Sequence, residues 1–219
     1  GARDIGFAPF EAVLAWPGFA QAARLSVTTG LASTGLSVLI VVLLLAGWQG
    51  TRAFAALERL LSPLLSIPHA AAAFGLAFLV APSGWIARLF SPWATGWSRP
   101  PDLLIVQDTL GLSMILGLVI KEVPFLLLMS IAALPQTRAG AARMGSSALG
   151  YGRVTAFLKT TLPRLYAQIR LPVYVVLAYA MSVVDVALIL GPTTPSTLSV
   201  QIIKWMSDPD LAMRLQAAA

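Results

Sequence analysis

The sequence predicts an all-α fold, a polytopic bundle of transmembrane helices. Three observations carry this. Of 219 residues, 58% are apolar and only 11% charged, less than half the charge that a soluble surface usually displays. The mean hydropathy is +0.81. The apolar residues also fall in runs of about the 20 that cross a hydrocarbon core of ~30 Å. There is no cysteine and a single histidine, which excludes disulfides, thiolate metal sites and histidine-cluster metal chemistry. A net charge of +6, in so apolar a chain, reads as cytoplasmic loops that hold topology rather than as a nucleic-acid surface.

In order, residues 1–24 form an extramembrane or interfacial lead-in with Phe10, Trp16 and Phe19 at headgroup level. Residues 25–219 form the transmembrane module. The first span is placed at 25–48. Its first half is rich in Ser, Thr and Gly (Ser26, Thr29, Gly30, Ser33, Ser37), which lets helices approach closely in lipid. The second span, 60–80, carries Pro63 and Pro68, which distort its first half. His69 beside that break is read as a partly buried histidine bonded to backbone, with the permeation path as the alternative. Residues 81–103, with Trp85, Trp93 and Trp97, suit an interfacial loop.

The third span, 104–134, has Asp108 near its start and Lys121-Glu122 near its middle, just before Pro124. Neighbours in sequence do not share a helix face, so the two charges are expected to seek different partners in the bundle. They read either as structural or as solute-path groups. The fourth span, 165–190, contains Asp185. A lone carboxylate there is a functional candidate, or the structural partner of Lys121. Gly191-Pro192 ends that run, and a further helix opens from about residue 211. The chain is expected to be truncated before the last helix of its fold.

The loop at 135–164 interrupts this pattern. Arg138, Arg143, Arg153, Lys159 and Arg164 make it strongly basic, and connections of such length are usually functional. On a helix through 138–149, Ala141, Ala142, Gly145, Ala148 and Leu149 share a small, flat face. Gly150 suits the left-handed position that closes a helix. Val154, Phe157, Leu158 and Thr161 give a second apolar stripe fit to lie along the membrane, and Pro163 is placed to start the next span. With this loop cytoplasmic, the inside segments hold Arg52, Arg59, Arg138, Arg143, Arg153, Lys159, Arg164 and Arg170 against Glu58 alone. The residues alone describe a cytoplasmic docking element.

Met144-Gly145-Ser146, three residues, Gly150, nine residues, then Thr160-x-Leu162-Pro163 resembles the EAA loop of binding-protein-dependent ABC importer permeases. That loop reads Glu-Ala-Ala, three residues, Gly, nine residues, Ile-x-Leu-Pro. Gly150, Leu162 and Pro163 match, Ser146 is conservative, and Met144, Gly145 and Thr160 depart; Met144 stands at the glutamate. Ser66 to Leu79 also resembles the second core helix of these permeases, and 185–198 the segment after the fourth. The likeness spans roughly Ala22 to Ala219. It is strongest to the branch in which two such modules share one chain, as in thiamine-, ferric-iron- and YnjC-like permeases.

The resemblance implies a type I importer permease module. Ala141, Ala142, Met144, Gly145, Ser146, Gly150, Leu162 and Pro163 would couple it to a cytoplasmic ABC ATPase dimer. A periplasmic solute-binding protein and a second permease module, in the same chain or in a homologous subunit, would complete the transporter in the bacterial inner membrane. Lys121, Glu122 and Asp185 are the candidates for intramembrane solute-path charges. No P-loop occurs in the sequence, so ATP and magnesium are expected on the partner and no catalytic residue, metal or cofactor on this chain. The competing reading is half of an ion-gradient-driven transporter using Asp185, Lys121 and Glu122. A membrane-embedded enzyme ranks lowest, because the charges form no close acid/base pair.

Overall fold

The computed structural model describes residues 7–137 and 150–218, and the described residues are helical with no strand. The elements are α1 (Ala8–Ala15), α2 (Phe19–Trp48), α3 (Arg52–Ser66), α4 (His69–Val80), α5 (Trp85–Phe90), α6 (Leu112–Ala133) with a 3-10 turn at Leu134–Thr137, α7 (Arg153–Ala156), a π-helical turn at Phe157–Thr161, α8 (Leu162–Ser182), α9 (Asp185–Leu190), α10 (Leu198–Met206) and α11 (Met213–Ala217). Three stretches are long and apolar enough to cross a membrane: Phe19–Trp48, His69–Phe90 and Leu112–Thr137. Helix α8 falls outside that set, its first half carrying Arg164, Gln168 and Arg170.

Helices α2, α6 and α8 pack on one another and form the trunk. The close approach is written in small residues. A Cβ on Gly30 would stand 2.5 Å from Met181 Cγ of α8, and one on Gly117 would stand 2.4 Å from Leu190 Cδ1 of α9. Without an apolar driving force between helices in lipid, this close packing is the main source of cohesion. Two apolar clusters result. One gathers Val41, Leu45, Phe54, Leu61, Leu126, Leu127, Phe157, Leu165 and Ile169. The other gathers Ala73, Leu76, Met114, Leu118, Val186, Leu190 and Val200 at the opposite end of α6.

Several boundaries differ from the sequence reading, each for a local reason. The expected span 60–80 is two helices, α3 and α4, parted at Ile67-Pro68. Pro63 lies inside α3, whereas Pro68, with Ile67 extended before it, stops the helix. The expected span 104–134 begins as a helix only at Leu112, where Asp108 caps it. Its Oδ2 accepts from the Leu112 amide and its Oδ1 from the amide and hydroxyl of Ser113, each at 2.9 Å. The expected span 165–190 is also two helices. Val183 turns to an extended conformation and Asp185 opens α9, so Asp185 lies at a helix start and not inside a continuous span. Trp16, expected at the headgroups, packs edge-on against Trp205 with ring centroids 5.2 Å apart.

Candidate functional site

Between the two apolar clusters, α6 places Lys121 and Glu122, which are 5% and 4% exposed. They point to different neighbours, as adjacent helical positions must. Glu122 reaches α2, where its Oε1 accepts from Ser33 Oγ at 3.0 Å and its Oε2 from Ser37 Oγ at 2.7 Å. Ser33 and Ser37 are one turn apart on the small-residue face of α2, so one carboxylate bridges both. A buried carboxylate is tolerable only with such donors.

Lys121 reaches the break between α3 and α4. Its Nζ donates to the carbonyls of Leu64 at 2.8 Å, Leu65 at 3.3 Å and Ile67 at 2.7 Å. The last carbonyls of a helix lack intrahelical donors. Here Pro68 removes the N–H that would have served Leu64. An ammonium has three donors, and all three are used. Its charge also complements the partial negative charge at a helix C-terminus. Lys121 and Glu122 therefore tie α6 to two different helices, rather than pairing with each other or with Asp185.

Beside them lies a cavity of about 340 Å³, lined among others by His69, Lys121, Glu122, Phe125 and Tyr179. The His69 and Tyr179 rings pack at a tilt of 52° with centroids 5.0 Å apart. Asp185 lies at the edge of a second, more open cavity of about 600 Å³ with Gln107, Phe74 and Ala77. Its Oδ1 accepts from the Val186 amide at 2.9 Å. Gln107 holds a positive φ of 61° and donates its amide to Leu190 O. The roles of Ser33, Ser37 and Tyr179 are not legible in the sequence. The serines were visible as a small-residue face, but a partner 85 positions away leaves no local mark.

Of the expected coupling residues, Ala141, Ala142, Met144, Gly145 and Ser146 lie outside the described residues. Gly150 is described, with φ +77° and, among the described residues, nothing within 4 Å of where a Cβ would stand, the left-handed conformation that favours glycine. Leu162 and Pro163 do not start a helix as expected: Thr161 and Leu162 are helical and the Leu162 amide bonds to Phe157 O, so Pro163 lies inside a helix that runs on from α7, directly after the π-helical turn. The expected stripe through Val154, Phe157, Leu158 and Thr161 divides. Phe157 and Thr161 are buried against the bundle, while Val154 and Leu158 are exposed. The π-helical turn is where this register change falls. The Arg153 guanidinium donates to Gln49 O, so the α2–α3 loop and the start of α7 meet at one end of the bundle. A surface cavity of about 710 Å³ opens there, between Gln49, Thr51, Arg52 and Glu58 on one side and Leu134 and Pro135 on the other.

Apolar helices closed around a small-residue seam, with paired polar groups inside, define a membrane protein, and the chain is a homologue of an ABC transporter permease. No family model matches it. The relative is the inner membrane ABC transporter permease protein YnjC of Escherichia coli (strain K12), 30% identical over 210 residues. The match takes in 95% of this chain and 39% of the relative.

Proposed function

We propose that this chain is a transmembrane permease module of an ATP-driven importer, a multi-pass protein of the bacterial inner membrane. The observation that carries the reading is the 30% identity to a permease along 95% of the chain. The left-handed Gly150 supports coupling through the loop at 138–163. In this reading Ala141, Ala142, Met144, Gly145 and Ser146 form the element that docks on a cytoplasmic ABC ATPase dimer. The cavity beside Gln49 and Arg52 lies at the end of the bundle that carries Leu134, Pro135 and Arg153. Nucleotide closure of the ATPases would move this end of the bundle, and the trunk α2–α6–α8 would pass the movement to the solute path. A solute-binding protein would deliver from outside, and a second permease module would close the path. ATP and magnesium belong to the ATPase, and this chain would use no cofactor, metal or nucleic acid of its own.

Lys121 and Glu122 act in this account as helix ties, which leaves Asp185 as the carboxylate for the path. The same ties weigh against a gradient-driven transporter, whose coupling charges must be free to change partners. The test is Gly150→Arg in the assembled transporter. ATP hydrolysis is expected to persist while uptake falls about tenfold or more, and membrane insertion is unchanged. Uptake equal to wild type would remove coupling through this loop.

A further inference from the structure

The geometry points to an anionic phospholipid headgroup as the occupant of a basic pocket in the segment around α5. This goes beyond the importer reading and needs only that the chain sits in a membrane. A cavity of about 560 Å³ is lined by Pro82, Ala87, Arg88, Ser91, Trp97 and Arg99, among others. All of its walls come from residues 82–100, so one stretch of chain closes around it. Gly96, at φ +71°, turns that stretch back. The hydroxyls of Ser91 and Thr95 lie 2.6 Å apart, and the Trp97 amide donates to Thr95 Oγ1 at 3.2 Å. The return brings Arg99 to the same space as Arg88.

The charges in this pocket set the sign of its ligand. Residues 81–101 hold Arg88 and Arg99 and no carboxylate. Among the described residues no Asp or Glu lines the cavity, and Asp102, the nearest in sequence, lies outside its wall. A guanidinium keeps its proton in a protein. Two positive charges therefore face one space, a repulsion that an anion between them relieves. Arg88 Nε donates to Ser83 O at 2.8 Å. That bond orients the guanidinium and leaves its terminal N–H groups for a ligand. A planar fork of this kind matches the free oxygens of a phosphodiester.

Depth and neighbours favour a lipid over a soluble anion. His69–Phe90 is long and apolar enough to cross a membrane, and Arg88 lies in its last turn, at headgroup level. Beside it Trp85, Leu89 and Trp93 are 57%, 56% and 74% exposed. The Trp93 indole N–H is taken by Leu89 O at 3.0 Å, so the ring offers apolar faces. Aromatic side chains at the end of a span belong in the membrane interface, where they meet acyl chains. A soluble anion gains nothing from that rim, whereas a phospholipid brings a phosphate and acyl chains together. The headgroup follows from the missing carboxylate. The pocket offers no partner to the ammonium of an ethanolamine lipid, and its two arginines repel that ammonium. A glycerol-type anionic headgroup meets neither obstacle.

The absence of cysteine allows a direct test in the membrane-embedded chain. One variant carries Ser98→Cys, in the pocket wall. A reference variant carries Ala94→Cys, exposed on the same segment and outside the wall. Each full chain is placed in nanodiscs of phosphatidylcholine mixed with either phosphatidylglycerol or phosphatidylethanolamine, and the thiol is reacted with uncharged N-ethylmaleimide. The rate at Ser98→Cys, relative to Ala94→Cys, is expected to be about fivefold lower in the phosphatidylglycerol discs. Arg88→Gln combined with Arg99→Gln is expected to abolish the difference. Arg88→Lys combined with Arg99→Lys is expected to keep part of it, because the charge stays and only the fork is lost. Equal relative rates in the two discs would overturn the assignment and leave the segment to a soluble protein partner. A difference that survives the glutamine pair, or that the lysine pair loses as fully as the glutamine pair, would also overturn it. So would soluble glycerol phosphate that protects Ser98→Cys in phosphatidylethanolamine discs as well as the anionic lipid does, since the site would then belong to a free anion. None of these rates involves ATP or an ATPase, so the outcome stands apart from the importer reading.

Discussion

Glu122 shows how one residue sets the demands on its neighbours. Its two oxygens take hydroxyl donors from Ser33 and Ser37, and all three groups are nearly free of solvent. Ser33→Ala or Ser37→Ala leaves a buried acceptor without its donor, a loss of about 1–3 kcal/mol for each, read as a lower melting temperature in detergent. Glu122→Gln keeps one acceptor and offers donors that the second hydroxyl accepts, so it is expected to be milder than Glu122→Leu. Asp108 makes a different claim, at the mouth of α6. Burial pushes its carboxyl up, but the amides of Ser113 and Leu112 and the Ser113 hydroxyl outweigh this and hold it below the usual carboxylate range. With the folded value depressed, the stabilisation is complete above the ordinary aspartate value of about 3.9. It is lost as pH falls through the lower folded value. Melting curves between neutral pH and the acid limit should show wild type losing more stability than Asp108→Asn across that window, and parallel curves would contradict the capping role. Asp108, Lys121, Glu122 and Asp185 stand out in the sequence as charges in an apolar setting. That Lys121 and Glu122 part company is legible there too, since helical geometry forces this. Their actual partners lie far away in sequence and had to come from the packed structure.

At the scale of elements, the break between α3 and α4 and the lysine that covers it form one unit. Pro68 withholds an N–H from Leu64 O, and Lys121 supplies one. Pro68→Ala restores a backbone donor, so Lys121→Met should cost less in that background than in wild type. A double-mutant cycle on melting free energy is expected to show coupling of about 0.5–3 kcal/mol, and strict additivity would separate the two. The seams behave similarly. Gly117→Val drives a side chain into Leu190 and Val186, an overpacking cost of about 1–3 kcal/mol, whereas the same change at Gly35, with open space around it, should be nearly silent. Proline announced the α3–α4 break in the sequence, but nothing announced the one after Ser182. Val183 and Val184 are ordinary apolar residues, and the helix ends there through tertiary contacts, with Ser199 Oγ donating to Val183 O at 2.9 Å. For that reason the expected span ran through Asp185.

The described molecule is a trunk of three helices with two apolar clusters, a polar layer between them, and Arg153 tied to the α2–α3 loop at one end. Apolar run length made the helical class and most helices legible. The small-residue face of α2 makes its close packing legible, and Gly150 is legible as a left-handed position. The division of spans by capping and tertiary contact was not, because both act across the bundle. Asp185→Asn is expected to reduce transport in the assembled protein at least tenfold more than Asp102→Asn, because Asp102 is exposed and Asp185 lines a cavity; equal, near-zero effects would remove Asp185 from the path. The central claim is that this chain works as the membrane partner of an ABC ATPase. The most direct measurement is the nucleotide hydrolysis that co-purifies with the protein from its native membrane. The account predicts an ABC ATPase subunit in stoichiometric amount, with vanadate-sensitive hydrolysis. A pure preparation that carries no such subunit, and whose uptake collapses with the ion gradient alone, would contradict it.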